Sequence, residues 1–286
     1  MIYLLLSITA STLIFIIFKL LDKYNINTLQ AIVVNYFAAC SFGIISSDEP
    51  VNVTEILESS WIYGALALAF LFISIFNVMA LTAQRNGLSV ASVASKMSVI
   101  IPIIFGIYVY NESVGTQKII GILLALVAVY LTSVKPKTMN NVTKGLWLPI
   151  LLFFGSGIID TSIKYIETTY ISENGIPIFS ATIFAFALII GASILVYKSF
   201  KNPIKFNLKT IIAGCCLGIA NYFSIYYLLK ALNHENLESS TIFTVNNVAV
   251  VMVSTLLGFI IFKESITNKN WFGIGLAIIS IVLVTL

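Results

Sequence analysis

The chain has 286 residues, of which 59% are hydrophobic and 10% are charged. A soluble domain carries about 25% charged residues, so much of the surface of this chain must face lipid rather than water. The formal net charge of +4 is spread over short connections without a basic run, which argues against a nucleic-acid partner. The composition therefore predicts an integral membrane protein.

Ten apolar segments are each long enough to cross a bilayer core, which needs about 20 mainly apolar residues per helix. Backbone in lipid must satisfy its own hydrogen bonds, and segments of this length predict helices rather than barrel strands. In chain order the predicted spans are Ile2–Phe18, Thr28–Ile45, Trp61–Thr82, Leu88–Tyr110, Lys118–Val134, Leu146–Tyr165, Pro177–Tyr197, Thr210–Leu232, Ser239–Phe262 and Trp271–Leu286. We expect Pro102, inside the fourth span, to kink its helix.

The two halves of the chain carry the same short pattern. The string G-x5-E-S-x7-G-x3-A occupies residues 106–125 and recurs at residues 258–277. A weaker match joins FKLLDKY, after the first span, to IKYIETTY, after the sixth. The sequence therefore predicts a duplication, with a first five-helix repeat over 1–134, a linker over 135–145 and a second five-helix repeat over 146–286.

An odd number of crossings in each half has a geometric consequence. The second half must enter the membrane from the opposite side, so the repeats are inverted in topology, as in many secondary transporters. The predicted fold class is an all-α membrane protein with ten transmembrane helices in a 5+5 inverted-topology repeat. Two such repeats can expose a shared site to either side in turn.

In each half, a helix with polar residues at three-residue spacing (Ser89, Ser92 and Ser95, or Thr241, Thr244 and Asn247) precedes a Gly, a Glu at the helix end, a short loop and a Gly-containing helix. This pattern resembles the EamA-type repeats of the drug/metabolite transporter superfamily, over essentially the whole chain. The resemblance implies a permease that exports or exchanges metabolites such as amino acids and related compounds by alternating access. It also implies a multi-pass protein of the bacterial cytoplasmic (inner) membrane. Many relatives carry a Trp-Gly pair in the first helix, where this chain has Ser11–Thr12.

Lys96 is a cationic side chain near the middle of the fourth predicted span. An ammonium at that depth costs about 2.5–3.5 kcal/mol on insertion scales, so it should face a cavity or a partner. Ser92 and Lys96 lie on one helical face. One interpretation is a binding site for the carboxylate of an anionic or zwitterionic solute. The alternative is a structural role, in an ion pair with Asp160 or in bonds to helix carbonyls.

Asp160 is an acid well inside the sixth predicted span. It is a candidate for proton or ion coupling. The alternative is a structural pair, and Lys164, one turn away on the same face, is a suitable local partner.

Side-chain amides and hydroxyls form a second polar group of residues. Each single Asn inside a span can be either a solute ligand or a hydrogen bond between helices. Together with Lys96 they predict a polar central cavity. The predicted substrate-binding residues are Lys96, Ser92, Asn77, Asn221, Thr244, Asn246 and Asn247.

The motifs that would indicate another function are missing. The sequence has no G-x4-G-K-[ST] phosphate loop, no Cys/His spacing typical of a metal site, and His234 is its single histidine. We therefore expect no enzyme activity, no cofactor and no metal. The expected partners are a small organic solute and membrane lipid, with the chain a monomer or a homodimer. A non-transporting scaffold or receptor, and an intramembrane enzyme, remain the alternatives.

Overall fold

The computed structural model describes residues 2–47, 52–86, 88–111, 115–133, 147–171, 175–201, 207–233, 238–262 and 267–285. These residues form α-helices joined by short connections, and no strand occurs among them. The helices are α1 (Ile2–Lys23), α2 (Thr28–Ile45), α3 (Val53–Glu58), α4 (Ile62–Asn86), α5 (Leu88–Met97), α6 (Ile100–Val109), α7 (Thr116–Ser133), α8 (Trp147–Tyr170), α9 (Ile176–Lys201), α10 (Leu208–Leu232), α11 (Ser239–Phe262) and α12 (Asn268–Thr285).

The described helices include six that are long and apolar enough to cross a membrane, namely Ile2–Lys23, Thr28–Ile45, Ile62–Thr82, Trp147–Tyr170, Ile176–Phe200 and Leu208–Leu232. Shorter apolar helices cover Ala94–Val109, Ile119–Ala128 and Ser240–Ser254, inside the fourth, fifth and ninth predicted spans, and Asn268–Leu283, which overlaps the tenth. The all-helical membrane fold is confirmed for the described residues. The count of ten spans and the 5+5 inverted arrangement stay predictions.

The predicted span Leu88–Tyr110 consists of two helices, α5 and α6, separated by a turn at Ser98–Val99. Pro102 accounts for the position of this break, because proline lacks the N–H that would bond to the carbonyl four residues earlier and its ring clashes with that carbonyl. The Ser98 carbonyl instead accepts a hydrogen bond from the backbone N–H of Ile101, at 2.9 Å. The helix therefore breaks where a smoother kink was expected.

A short helix, α3, lies in the connection between α2 and α4, which the sequence analysis left without secondary structure. Asn52 caps it, since its side-chain oxygen accepts a hydrogen bond from the N–H of Thr54 at 3.1 Å. The Asn52 amide also donates to Glu55 at 2.7 Å. This is a variant of the capping box, a helix-start pattern that is readable from sequence.

The chain packs as two compact units. Unit 1 comprises Met1–Asn77 and Ser162–Asn233, and unit 2 comprises Val78–Thr161 and His234–Leu286. The chain passes from one unit to the other within α4, within α8 and after α10. Each unit therefore combines helices from both predicted repeats. The duplication over 1–134 and 146–286 stays a prediction, and its linker 135–145 lies outside the described residues.

Unit 1 is built on close packing of α2 against α9 and α10, with α1 against α10. Glycines allow the close approach, since a Cβ on Gly43 would lie 2.7 Å from the Cβ of Ala181 and one on Gly214 would lie 2.5 Å from the Cβ of Val34. Tyr36 is fully buried, with its ring centroid 6.1 Å from that of Phe184. Small residues and aromatic rings thus hold these helices together.

Unit 2 is built on α7, α11 and α12. Ala125 and Ala277, the equivalent last residues of the repeated string, are each 1% exposed and lie in one hydrophobic cluster. The hydroxyl of Ser280 donates to the carbonyl of Gly121 at 2.9 Å. The Ala that ends the repeated string therefore serves helix packing in both halves. The Glu-Ser pairs of both strings lie outside the described residues.

Candidate functional site

Lys96 and Asn247 form a direct contact inside unit 2. The Lys96 ammonium donates a hydrogen bond to the Asn247 side-chain oxygen at 3.0 Å. Asn247 lies within α11 and is 3% exposed, and Lys96 is half-buried near the end of α5, two residues before the break at Ser98. The contact therefore joins a helix of the first predicted repeat to a helix of the second.

Asp160 on α8 belongs to the same region of unit 2. Its carboxylate interacts electrostatically with the Lys96 ammonium. One turn before Asp160, the hydroxyl of Ser156 lies 3.3 Å from that of Ser95, and both serines are buried. A Cβ on Gly157 would collide with Ile101 of α6, so α8 packs closely against the broken helix. Helices α5, α8 and α11 thus bring a cation, a carboxylate and an amide together.

The contact with Asn247 does not neutralise the lysine. The ammonium donates one of its N–H groups to the Asn247 side-chain oxygen. The amide oxygen is neutral and therefore leaves the positive charge in place. An anionic group of a solute that entered this site would find the positive charge of Lys96 already in position. It would compete with the Asp160 carboxylate for that charge.

The other two predicted residues of α11 behave differently from Asn247. Thr244 is fully buried, and its hydroxyl donates to the carbonyl of Ser240 in its own helix at 2.7 Å. Asn246 is 3% exposed, and its side-chain oxygen has no hydrogen-bond partner among the described residues. A buried amide oxygen without a donor costs free energy, so Asn246 can accept a hydrogen bond from a ligand or from water.

Asn77 and Asn221 belong to unit 1. The Asn77 amide donates to the carbonyl of Ile73 at 2.7 Å, within α4. The Asn221 amide donates to the side-chain oxygen of Asn35 on α2 at 3.2 Å. The structure thus brings Lys96 and Asn247 together with Asp160 in unit 2, whereas Asn77 and Asn221 have partners in unit 1. The Ser92 side chain lies outside the described part of the chain. One shared cavity for all seven residues stays a prediction.

The sequence analysis missed several buried polar residues. Asn35 is fully buried and bonds to Asn221. Lys164 pairs with Glu167, three residues further on, at 3.3 Å; the local pair proposed for Lys164 had Asp160 as its partner. The sequence did contain an indication of this pair, because Lys164 and Glu167 align with Lys19 and Asp22 in FKLLDKY of the first half. No signal in the sequence indicated which helix Asn35 faces.

Metal binding has no support in the described residues, which contain no group of three or more His, Cys, Asp or Glu side chains that could hold an ion. Two charged groups and an amide, set in apolar helical segments, are instead typical of a polar site inside a helical membrane protein. This is the class of protein that the fold and the site define.

Comparison with known proteins gives the family. The model of the EamA-like transporter family matches residues 143–286, which is half of the chain. An uncharacterized protein of Haemophilus influenzae is 29% identical over 280 residues, covering 95% of this chain and 93% of its own. A solved crystal structure aligns with a TM-score of 0.72 over 99% of this chain and 96% of that chain at 12% identity, which shows a shared fold.

The chain belongs to the EamA-like transporter family. It is an integral, multi-pass membrane protein of the drug/metabolite transporter type, and the resemblance seen in the sequence is thereby confirmed. Members of this family are in general transporters rather than enzymes.

Proposed function

We propose that this protein is a secondary carrier, an exporter or exchanger, for a small anionic or zwitterionic organic metabolite such as an amino acid or a related compound. The observation that carries the proposal is the Lys96 ammonium, held at 3.0 Å by a buried neutral amide on another helix. A charge inside a membrane protein is costly and marks a solute or ion pathway.

Of the groups that a small organic metabolite carries, a carboxylate suits this lysine best. A carboxylate carries the charge opposite to that of the ammonium, and charge-assisted hydrogen bonds are about twice as strong as neutral ones. For a zwitterionic solute, the unsatisfied oxygen of Asn246 offers an acceptor for an amine or amide N–H. Thr244, Ser92, Asn77 and Asn221 complete the proposed substrate-binding set.

Transport would proceed by alternating access between two inverted five-helix repeats, without a cofactor. Asp160 would couple the cycle to a proton or another ion, because a solute anion that binds Lys96 competes with its carboxylate. We further propose that the protein resides in a bacterial cytoplasmic membrane, as a monomer or a homodimer, with no enzyme activity.

Solute exchange in proteoliposomes tests this function. Purified full-length protein is reconstituted with a pool of unlabelled metabolites inside, and entry of labelled carboxylic acids, amino acids and amines is followed with and without a pH gradient. We expect saturable entry of one carboxylate-bearing solute, well above that of protein-free liposomes. Entry of amines alone would contradict the proposed solute class, and no entry of any solute would favour a scaffold or receptor.

A further inference from the structure

The short helix α3 has two chemically different faces. Val53, Ile56 and Leu57 have the i, i+3, i+4 spacing that brings side chains together on one side of a helix, and Glu55 and Glu58 lie on the other side. Val53 and Leu57 are 63% and 61% exposed. Because α3 is too short to cross a bilayer, we expect it to lie in the membrane interface, with its apolar face toward the acyl chains.

The apolar face of α3 lines a groove that α2 and α9 also line, inside unit 1. The groove has a volume of about 200 Å³, and its α2 residues are Cys40 and Ile44. On α9 the lining extends from Ile178 to Phe186, which is about 12 Å along the helix axis at 1.5 Å per residue. Ile44 lies in the last turn of α2 and Ile178 in the first turn of α9. The groove therefore starts at the helix ends, beside α3, and continues toward the membrane interior.

The lining offers very little to which water could bond. The hydroxyl of Thr182 already donates to the carbonyl of Ile178 in its own helix, at 2.8 Å, and the thiol of Cys40 is a weak donor. No charged side chain occurs among the described residues that line the groove. A bound water needs about two to four polar partners, and apolar cavities of this size stay dry and accept apolar molecules. The groove therefore suits a hydrocarbon group.

The connection that contains α3 carries only negative charge. Residues 46–60 include four acids, Asp48, Glu49, Glu55 and Glu58, and no Lys or Arg. The side chains of Glu55 and Glu58 are exposed, on the face of α3 opposite the groove. Charges at a membrane surface attract headgroups of opposite sign and repel those of like sign. These acids therefore favour a headgroup that ends in an ammonium over an anionic headgroup.

We propose that this groove binds an acyl chain of a bilayer phosphatidylethanolamine, with the chain against Cys40 and Ala185 and the ammonium of the headgroup at the level of Glu55 and Glu58. The bound lipid fills the space that α2, α3 and α9 leave between them, and thereby holds α3 in place. This site follows from the membrane environment of the chain and does not depend on the proposed carrier function.

Photo-crosslinking in a bilayer tests this site. The purified full-length protein is reconstituted into phosphatidylcholine vesicles with a small fraction of phosphatidylethanolamine that carries a diazirine in one acyl chain. Parallel vesicles contain phosphatidylglycerol with the same chain. Mass spectrometry measures the adducts on the groove residues Cys40, Ala185 and Phe186. The reference residues are Leu66 and Phe70, which are exposed on α4 and lie outside the groove.

We expect the phosphatidylethanolamine probe to give about fivefold or more adducts in the groove than the phosphatidylglycerol probe, the factor that one charge near a membrane surface supplies. On the reference residues the two probes should react equally. The double variant Glu55→Gln/Glu58→Gln should remove the difference in the groove, because it keeps the shape of α3 and removes its charge.

A variant that fills the groove gives an independent test. Ala185→Phe places a ring in the groove and should reduce the groove adducts to the level of the reference residues. The matched control, Ala192→Phe, places the same ring two turns further along α9, on a half-buried alanine outside the groove, and should keep the groove adducts of the wild type. If Ala185→Phe does not fold, the comparison of the two probes on the wild type still decides.

Three results would overturn the proposal. The first is equal reaction of the two probes in the groove, and the second is groove adducts no more frequent than those on the reference residues. The third is groove adducts that persist in a folded Ala185→Phe protein. A second copy of the chain seated on the groove would give the second result, because it would exclude the lipid. Lipid adducts in a protein that transports nothing would contradict the proposed function and leave the lipid site in place.

Discussion

Asn247 positions Lys96, the side chain on which the proposed solute site depends. Its oxygen accepts from the Lys96 ammonium at 3.0 Å, and Asn247 itself is 3% exposed. Hydrogen bonds to charged groups contribute about 1.5–3 kcal/mol, more than those between neutral groups. Because the bond joins α5 to α11, it also fixes the position of the charge relative to the packed core of unit 2.

We predict that Asn247→Ala raises the KM for the transported carboxylate about tenfold, because the ammonium loses the partner that positions it. Asn247→Asp should reduce transport further, since a carboxylate at this position would neutralise Lys96 and compete with the solute. The measurement is the concentration dependence of exchange in proteoliposomes.

The control for these variants is Thr161→Val on α8. The Thr161 hydroxyl donates only within its own helix, to the carbonyl of Gly157 at 2.7 Å, so its removal should leave KM within about twofold of the wild type. A tighter apparent affinity in Asn247→Ala would contradict the positioning role, because it would mean that the amide competes with the solute.

At the scale of elements, the break between α5 and α6 lies next to Lys96. Proline in a helix costs about 3 kcal/mol or more and removes one backbone hydrogen bond. Interrupted helices commonly form the binding sites of secondary transporters, where freed backbone groups and a change of direction serve the site. Because of the break, Lys96 lies near the end of a helix, at a point where the direction of the helix axis can change.

We predict that Pro102→Ala increases the thermal stability of the protein in detergent and lowers its transport rate severalfold, because a continuous helix would redirect Lys96. The measurements are the Tm and the initial exchange rate. Pro177→Ala is the control, since Pro177 lies in the first turn of α9, where proline is well tolerated. An unchanged transport rate in Pro102→Ala would show that the break is only a packing feature.

Helix packing in unit 1 gives a second prediction at this scale. A Cβ on Gly218 of α10 would lie 2.7 Å from the Cβ of Ala38 and would collide with the carbonyl of Asn35, whereas one on Gly275 of α12 would meet nothing within 4 Å. Overpacking costs about 1–3 kcal/mol. We therefore expect Gly218→Ala to lower the Tm by several degrees and Gly275→Ala to leave it unchanged or raise it. Equal effects of the two changes would contradict the described packing of α2 against α10.

At the scale of the whole molecule, hydropathy predicted the helical membrane fold because each apolar run is long enough to cross the bilayer core. The same principle identified Lys96, since a charge in such a run is costly wherever it lies. The three-residue spacing of Thr241, Thr244 and Asn247 on one face of α11 indicated Asn247. The pairs Asn35–Asn221 and Ser95–Ser156 were beyond prediction, because periodicity shows which face of a helix is polar and does not show which helix that face meets.

The two compact units were equally beyond a reading of the sequence. A duplication predicts two halves along the chain, but packing takes helices from both halves into each unit. Equivalent helices α7 and α12 pack together in unit 2, with the equivalent residues Ala125 and Ala277 in one cluster. Helices next to a pseudo-twofold axis have their own counterparts as neighbours, and the contact of α7 with α12 is of this kind. The inverted repeat itself stays a proposal.

The most direct measurement of the central claim is exchange of the identified solute by Lys96→Ala in proteoliposomes, beside Lys209→Ala, which removes an exposed lysine from the start of α10. Both variants should insert and unfold at temperatures close to that of the wild type. We predict that Lys96→Ala loses transport of the anionic or zwitterionic solute and that Lys209→Ala keeps it. Full transport by a folded Lys96→Ala protein would contradict the account, because the ammonium would then have no part in binding the solute.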